Sequence, residues 1–364
     1  MSLTELIVDD VRCIEHAELP LHPGQNLVWG GNGSGKTTLL ESIFLLGRGR
    51  SFRTRSSERL IRLGRERLVV FGRVSDEAWA GGDPAVVPVI GQPLGVQVSR
   101  SDGTLARIGG STAKSLTELT QILPVQVIDP GVHKLLEEGG HRRRRWMDWG
   151  VFHVEPQFGD WWIRYTRALK QRNAALRTQA SQSSAFDPEL VRLGELIAEA
   201  RRQFVESLFP FWRESVLSLS GLEPDLHYFK GWAQDVSLAD ALVASRPRDE
   251  AKRVTHPGPH RADVLIRISG KPAREVLSRG QQKLVAVAMT LAQLELLQAT
   301  RQTHPTLLLD DPAAELDGDH LGRFIARVAR LQSQLVLTSL NPEAHLFGTP
   351  DRVFHVEHGK VHAL

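Results

Sequence analysis

An α/β fold interrupted by a mostly helical lobe is what this chain predicts, on three observations. Short apolar runs of strand character open the sequence and return near its C-terminal end. A glycine-rich loop joins one of these runs directly to a segment of helical periodicity. A long central stretch then carries apolar residues at helical spacing. The expected division is an α/β head made of residues 1–125 and 256–364, with residues 126–255 as an inserted helical lobe.

The elements follow in order. Leu6-Ile7-Val8, Ala17 through Leu21, and Leu27-Val28-Trp29 read as strands. Residues Gly30, Gly31, Asn32, Gly33, Ser34, Gly35, Lys36 and Thr37 complete the pattern G-x-x-x-x-G-K-[ST]. Thr38 through Leu46 continue it as a helix, so the motif sits between strand and helix, where it works. Glycines let backbone amides wrap phosphate oxygens, and the helix N-terminus adds aligned donors. Lys36 is expected to reach the β- and γ-phosphates, and the Thr37 hydroxyl to bind Mg²⁺. The ligand is therefore a nucleoside triphosphate.

Residues 68–110 read as β-rich, with a surface loop at Ala80 through Pro84. Trp161 through Leu176 and Pro188 through Leu208 read as helices, with Ser181 through Ser184 a loop between them. Pro188, Pro210 and Pro224 are expected to interrupt the helical lobe. Trp146, Trp149, Trp161 and Trp162 cluster where it begins; packing of the lobe and stacking on unpaired bases both fit, and we favour packing. Val264 through Ile268 returns to strand, a helix starts near Gly280, and Thr306 through Leu309 is an apolar strand ending in Asp310-Asp311. An acid at the tip of a buried strand holds Mg²⁺ in many nucleotide hydrolases, which assigns Asp310 to the metal. Asp311 stands where a glutamate often polarises the attacking water; one methylene shorter, it predicts slow hydrolysis and a switch rather than a motor.

Bulk properties narrow the class. The chain has 364 residues, 41% hydrophobic and 24% charged, enough for a packed core and two domains. A single cysteine, Cys13, excludes a disulfide framework and reads as a small packed residue. No run approaches a membrane span and no leader pattern opens the chain, so a cytoplasmic protein with no membrane partner is expected. Net charge is +3 with 36 arginines against nine lysines, which fits either a phosphate-binding face or arginine-rich codon usage.

Leu277-Ser278-Arg279-Gly280-Gln281-Gln282-Lys283 resembles the L-S-G-G-Q signature of the ABC ATPase superfamily, and a helix with Leu284, Val287, Ala288, Leu291 and Leu294 on one face follows it. The resemblance implies ATP as ligand. It also implies that Ser278, Gly280 and Gln281 contact the γ-phosphate held by a second head, and that Asp317 closes the D-loop after Asp310-Asp311. One phosphate loop and one signature per chain then imply a head-to-tail homodimer with ATP at the interface.

The long separation between Lys36 and Ser278, without sustained heptads, is similar to the RecF family of recombination and repair proteins, which carry an SMC-like head with a short helical lobe. The blocks that carry this resemblance are Asp10-Val11-Arg12, Gly49 through Thr54, Pro130 through Asp148, Gly258 through Asp263 and the signature. It implies Arg12 as a nucleotide contact. It offers Gln126 as a sensor of Mg²⁺ and γ-phosphate, although Pro124 through Ile128 also reads as a plain strand. It implies DNA as partner, gapped, single-stranded or at a junction, and a RecR-type mediator. No histidine follows Leu335-Val336-Leu337; Thr338-Ser339 stand there instead, which again implies slow hydrolysis, and the resemblance implies a weak, DNA-stimulated ATPase acting as a switch. Basic stretches at 48–55, 142–145 and 246–253 are the candidate DNA contacts, with intramolecular pairing the alternative at 142–145. The competing functions are an ABC ATPase subunit coupled to some other partner, and a DNA clamp with vestigial ATP use.

Overall fold

The computed structural model describes all residues except 55, 76–90, 179, 302–303, 316–317 and 343–346. The surface loop expected at residues 80–84 lies outside the described residues.

The chain opens with strands β1 (Ser2–Val11), β2 (Ile14–Pro20) and β3 (Gln25–Trp29), then helix α1 (Lys36–Arg48). Strands β4 (Arg67–Ser75), β5 (Gln92–Ser99), β6 (Gly103–Ile108) and β7 (Ser111–Thr112) follow, then α2 (Thr117–Ile122) and β8 (Val125–Ile128). Next come α3 (Lys134–Glu137), α4 (Gly140–Val154), α5 (Phe158–Thr178), α6 (Asp187–Ser220), β9 (Pro224–Phe229) and α7 (Leu238–Lys252). The C-terminal third has β10 (Asp263–Ile268), β11 (Lys271–Pro272), α8 (Ala273–Val276), α9 (Arg279–Arg301), β12 (Thr306–Leu309), α10 (Pro312–Glu315), α11 (Gly318–Val328), β13 (Leu335–Ser339), β14 (Arg352–Glu357) and β15 (Lys360–Ala363).

Two compact units divide the chain: residues 1–132 with 302–364, and residues 133–301. The sequence placed the boundaries at 125/126 and 255/256. The difference has a packing cause. Strand β8 pairs in parallel with β12, which keeps residues 125–128 in the head. Helix α9 packs along α6, so the signature helix belongs with the lobe.

In the head, an antiparallel sheet ordered β2-β1-β4-β5-β6-β7 and a mixed sheet ordered β15-β14-β3-β13-β12-β8 enclose α1. Helix α1 is buried almost all round, as its apolar run Leu39, Leu40, Ile43, Phe44, Leu45 and Leu46 requires. It stops at Gly49, whose left-handed backbone (φ 62°) returns its N–H to Leu45 O.

In the lobe, a three-stranded sheet ordered β11-β10-β9 accompanies the helices. The strand expected at 264–268 therefore serves the lobe. Helix α6 runs through Pro210, which the sequence predicted as an interruption; Pro188 takes the first-turn position where proline is tolerated. Pro210 is exposed, so its ring and lost N–H bond fall on the solvent side. Trp146 and Trp149 are core residues, and Trp146 Nε1 donates to Met289 O (3.3 Å). Arg143 and Arg144 turn inward: Arg143 grips Asp263 with two bonds (2.8 and 2.9 Å), and Arg144 donates to Ala262 O (2.6 Å).

Candidate functional site

Parallel pairing brings the C-terminal ends of β3, β13 and β12 to one edge of the mixed sheet. Crevices at such edges are where open α/β sheets bind ligands. The loop from Gly30 to Gly35 leaves β3 there and enters α1. Gly31, Asn32 and Gly33 are exposed, and the space beside Gly31 and Gly33 is open. Gly30 is obligatory: its φ is 156°, and a Cβ would fall 2.2 Å from Val356 O. Its N–H donates to Ser339 O (3.2 Å) at the end of β13.

Lys36 is buried and folds back over the loop, its Nζ donating to Gly30 O (2.7 Å) and Gly31 O (2.9 Å). Burial pulls its pKa below the usual lysine value, while Asp311 and Asp310 pull it up. The Thr37 hydroxyl donates to the Asp310 carboxylate, 3.0 Å to Oδ1 and 3.2 Å to Oδ2. Among the described residues, Ser34 Oγ is buried with no hydrogen-bond partner. Thr38 is buried one residue further, on α1.

These features fit a triphosphate and its metal. An open amide loop, an orphaned buried hydroxyl and a buried cation hydrogen-bonded to loop carbonyls all call for an anion. A hydroxyl and a carboxylate already within hydrogen-bond distance match Mg²⁺, which takes few protein oxygens and keeps its waters.

Lys36, Thr37, Asp310 and the loop lie together, and Asp311 follows Asp310 with a left-handed backbone, φ 50°. Gln126 is a correction. It lies in the middle of β8, register-paired with Leu307, three residues short of Asp310. At about 3.3 Å per residue this sets it roughly 10 Å back along the sheet, because a plain strand places only its end at the ligand edge. Arg12 is committed elsewhere: in the turn between β1 and β2 it grips buried Glu41 of α1, Nε at 2.7 Å and Nη2 at 3.1 Å. Asp317 lies outside the described residues. Cys13, expected to pack, is exposed, with Sγ 3.9 Å from Thr38 Oγ1.

Ser278, in the lobe, is exposed and precedes α9. Its Oγ accepts from Gln281 N–H (3.3 Å), and Gln281 Oε1 accepts from Ser278 N–H (3.0 Å). This reciprocal capping box holds the signature residues at the start of the helix. Gly280, between them, is exposed with open space around it. The spacing S-x-x-Q carried that signal in the sequence. Sequence reasoning missed Glu41, hidden in an apolar helix, which binds Arg12, Ser51 Oγ and, at 3.6 Å, Arg53. It also gave Thr338 no role. Its hydroxyl donates to Asp310 Oδ1 (2.9 Å) and accepts from Asp311 N–H (2.9 Å).

Comparison with known proteins extends over the whole chain. A family described as "RecF/RecN/SMC N terminal domain" matches residues 2–362. The DNA replication and repair protein RecF of Shewanella baltica (strain OS223) is 38% identical over 367 residues, covering 99% of each chain. RecF of Pseudomonas paraeruginosa is 38% identical over 369 residues, covering 99% of this chain and 97% of its own. Among solved structures, the recombination mediator protein RecF–ATP of the RecFOR pathway superposes with a TM-score of 0.88 at 25% identity, covering 100% of this chain and 97% of that one. An Smc head bound to the C-terminal winged-helix domain of ScpA shares the fold, with a TM-score of 0.59, 17% identity and coverage of 100% and 98%.

Proposed function

The chain belongs to the RecF family, within the RecF/RecN/SMC N-terminal-domain group, and from that premise we propose that it is an ATP-dependent DNA-binding protein of recombinational repair and replication restart. The observation that carries the reading is the convergence of Lys36, Thr37 and Asp310 at one sheet edge. It is supported by full-length similarity to a RecF solved with ATP.

ATP with Mg²⁺, when bound, supplies the triphosphate charge and the scissile γ-phosphoryl group. The chain's own residues do the rest. Lys36, whose Nζ donates to two loop carbonyls, would neutralise phosphate charge. Thr37 and Asp310 would hold the metal. Asp311 orients water, and Ser278, Gly280 and Gln281 of a second chain cover the γ-phosphate. Two heads then close on gapped or single-strand/double-strand junction DNA and help a RecR-type mediator load recombinase. With Thr338 and Ser339 in place of a histidine, hydrolysis is slow and resets the dimer.

The test is binding of a gapped duplex by wild type, Lys36→Met and Ser278→Arg, each with and without ATP–Mg²⁺. We expect ATP to strengthen wild-type binding and both variants to lose that gain. Equal binding in all six arms would uncouple DNA from the nucleotide and favour a clamp with vestigial ATP use.

A further inference from the structure

We propose that Thr338 is a positioning residue that sets both carboxylates at the end of β12. The inference rests on the reading of this edge as an ATP site.

Thr338 is fully buried near the end of β13. Its single hydroxyl proton goes to Asp310 Oδ1, and a lone pair takes Asp311 N–H, both at 2.9 Å. One side chain therefore fixes a carboxylate directly and the next residue through its backbone. Asp310 Oδ1 also accepts from Thr37. A continuous series, Thr37 to Asp310 to Thr338 to the Asp311 amide, thus links the first turn of α1 to the tips of β12 and β13. The neighbouring Ser339 O holds Gly30 N–H, so the same strand tip also anchors the entry of the phosphate loop.

The backbone of Asp311 shows why an anchor is needed. Its φ of 50° is left-handed, a conformation that costs L residues free energy and that aspartate tolerates better than most. Pro312 follows and disfavours the right-handed helical alternative at 311. With the hydroxyl gone, Asp311 N–H loses this acceptor, and the bond that holds its left-handed backbone and aims its carboxylate is removed. Asp310 loses one of its two hydroxyl donors and keeps Thr37 beside it, so metal and nucleotide binding are affected less than hydrolysis. Hydrolysis suffers because it depends on ångström-scale placement of the water-orienting group.

The test compares wild type, Thr338→Val and Thr338→Ser. Amide hydrogen exchange of residues 309–313 is measured without nucleotide, together with melting temperature, ATP dissociation constants and single-turnover hydrolysis. We expect Thr338→Val to exchange faster at Asp311 and to hydrolyse at least about tenfold more slowly. Its ATP dissociation constant should stay within about threefold of wild type, and Thr338→Ser should restore protection and rate. A Thr338→Val protein that hydrolyses at the wild-type rate overturns the proposal, as does one whose affinity and rate fall in proportion. Should Thr338→Val fail to fold, Thr338→Ala against Thr338→Ser carries the same comparison. A wild type that binds no ATP sinks the parent reading, whereas an ATP-hydrolysing wild type matched by Thr338→Val sinks this inference alone.

Discussion

Single side chains in this protein take their roles from what surrounds them, and His260 shows the consequence most directly. Its Nδ1 shares a hydrogen bond with the Tyr165 hydroxyl (2.7 Å) and its Nε2–H donates to Thr255 O (3.0 Å). Burial drives its pKa from 6.5 down to about 4, and the nearby cations Arg261, Arg144 and Arg201 push the same way. The unfolded chain takes up this proton first. The stabilisation is complete above pH 6.5 and is lost as pH falls toward 4. We expect the melting temperature to fall across that window, and more gently in His260→Gln, by calorimetry at fixed ionic strength. The sequence placed His260 in a family block without foreseeing this, because the lowered pKa comes from burial and from Arg144 and Arg201, which only the fold brings near.

At the scale of elements, the β14–β15 hairpin is the piece that periodicity did not connect to the site. Its turn residue Gly359 donates N–H to Ser34 O (2.9 Å), bracing the phosphate loop from the C-terminal end of the chain. Gly359 has φ 78°, and a Cβ there would lie 2.2 Å from Cys13 O. Gly359→Ala must therefore displace the turn from both the phosphate loop and the β1–β2 turn. We expect a stability loss of about 1–3 kcal/mol and weaker ATP binding, read by denaturant titration and by nucleotide titration on the same preparation. An unchanged affinity with lowered stability would make the hairpin a brace for the sheet and not for the loop. Helix α6 teaches a related lesson: Pro210 reads as a break in sequence, yet thirty-four residues continue because the missing bond faces solvent.

For the whole molecule, one phosphate loop and one signature per chain make the proposed sandwich a property of two copies. Light scattering at micromolar concentration should report a monomer without nucleotide and a dimer with non-hydrolysable ATP. Both Lys36→Met and Ser278→Arg should remain monomeric. A monomer in every condition would remove the basis for ATP-driven closure on DNA. No described helix is long and apolar enough to cross a membrane.

The sequence by itself determined the phosphate loop, the strand ending in Asp310-Asp311, the signature helix and the strand–helix order of the head. Each is a local pattern, in which neighbouring residues must adopt one backbone to place their own groups. Only the tertiary structure decided that Gln126 sits mid-strand, that Arg12 grips Glu41, that residues 256–301 join the lobe, and that the Thr338 hydroxyl bonds both the Asp310 carboxylate and the Asp311 amide. Those outcomes depend on strand register and on partners tens or hundreds of residues away, which side-chain spacing along the chain does not encode.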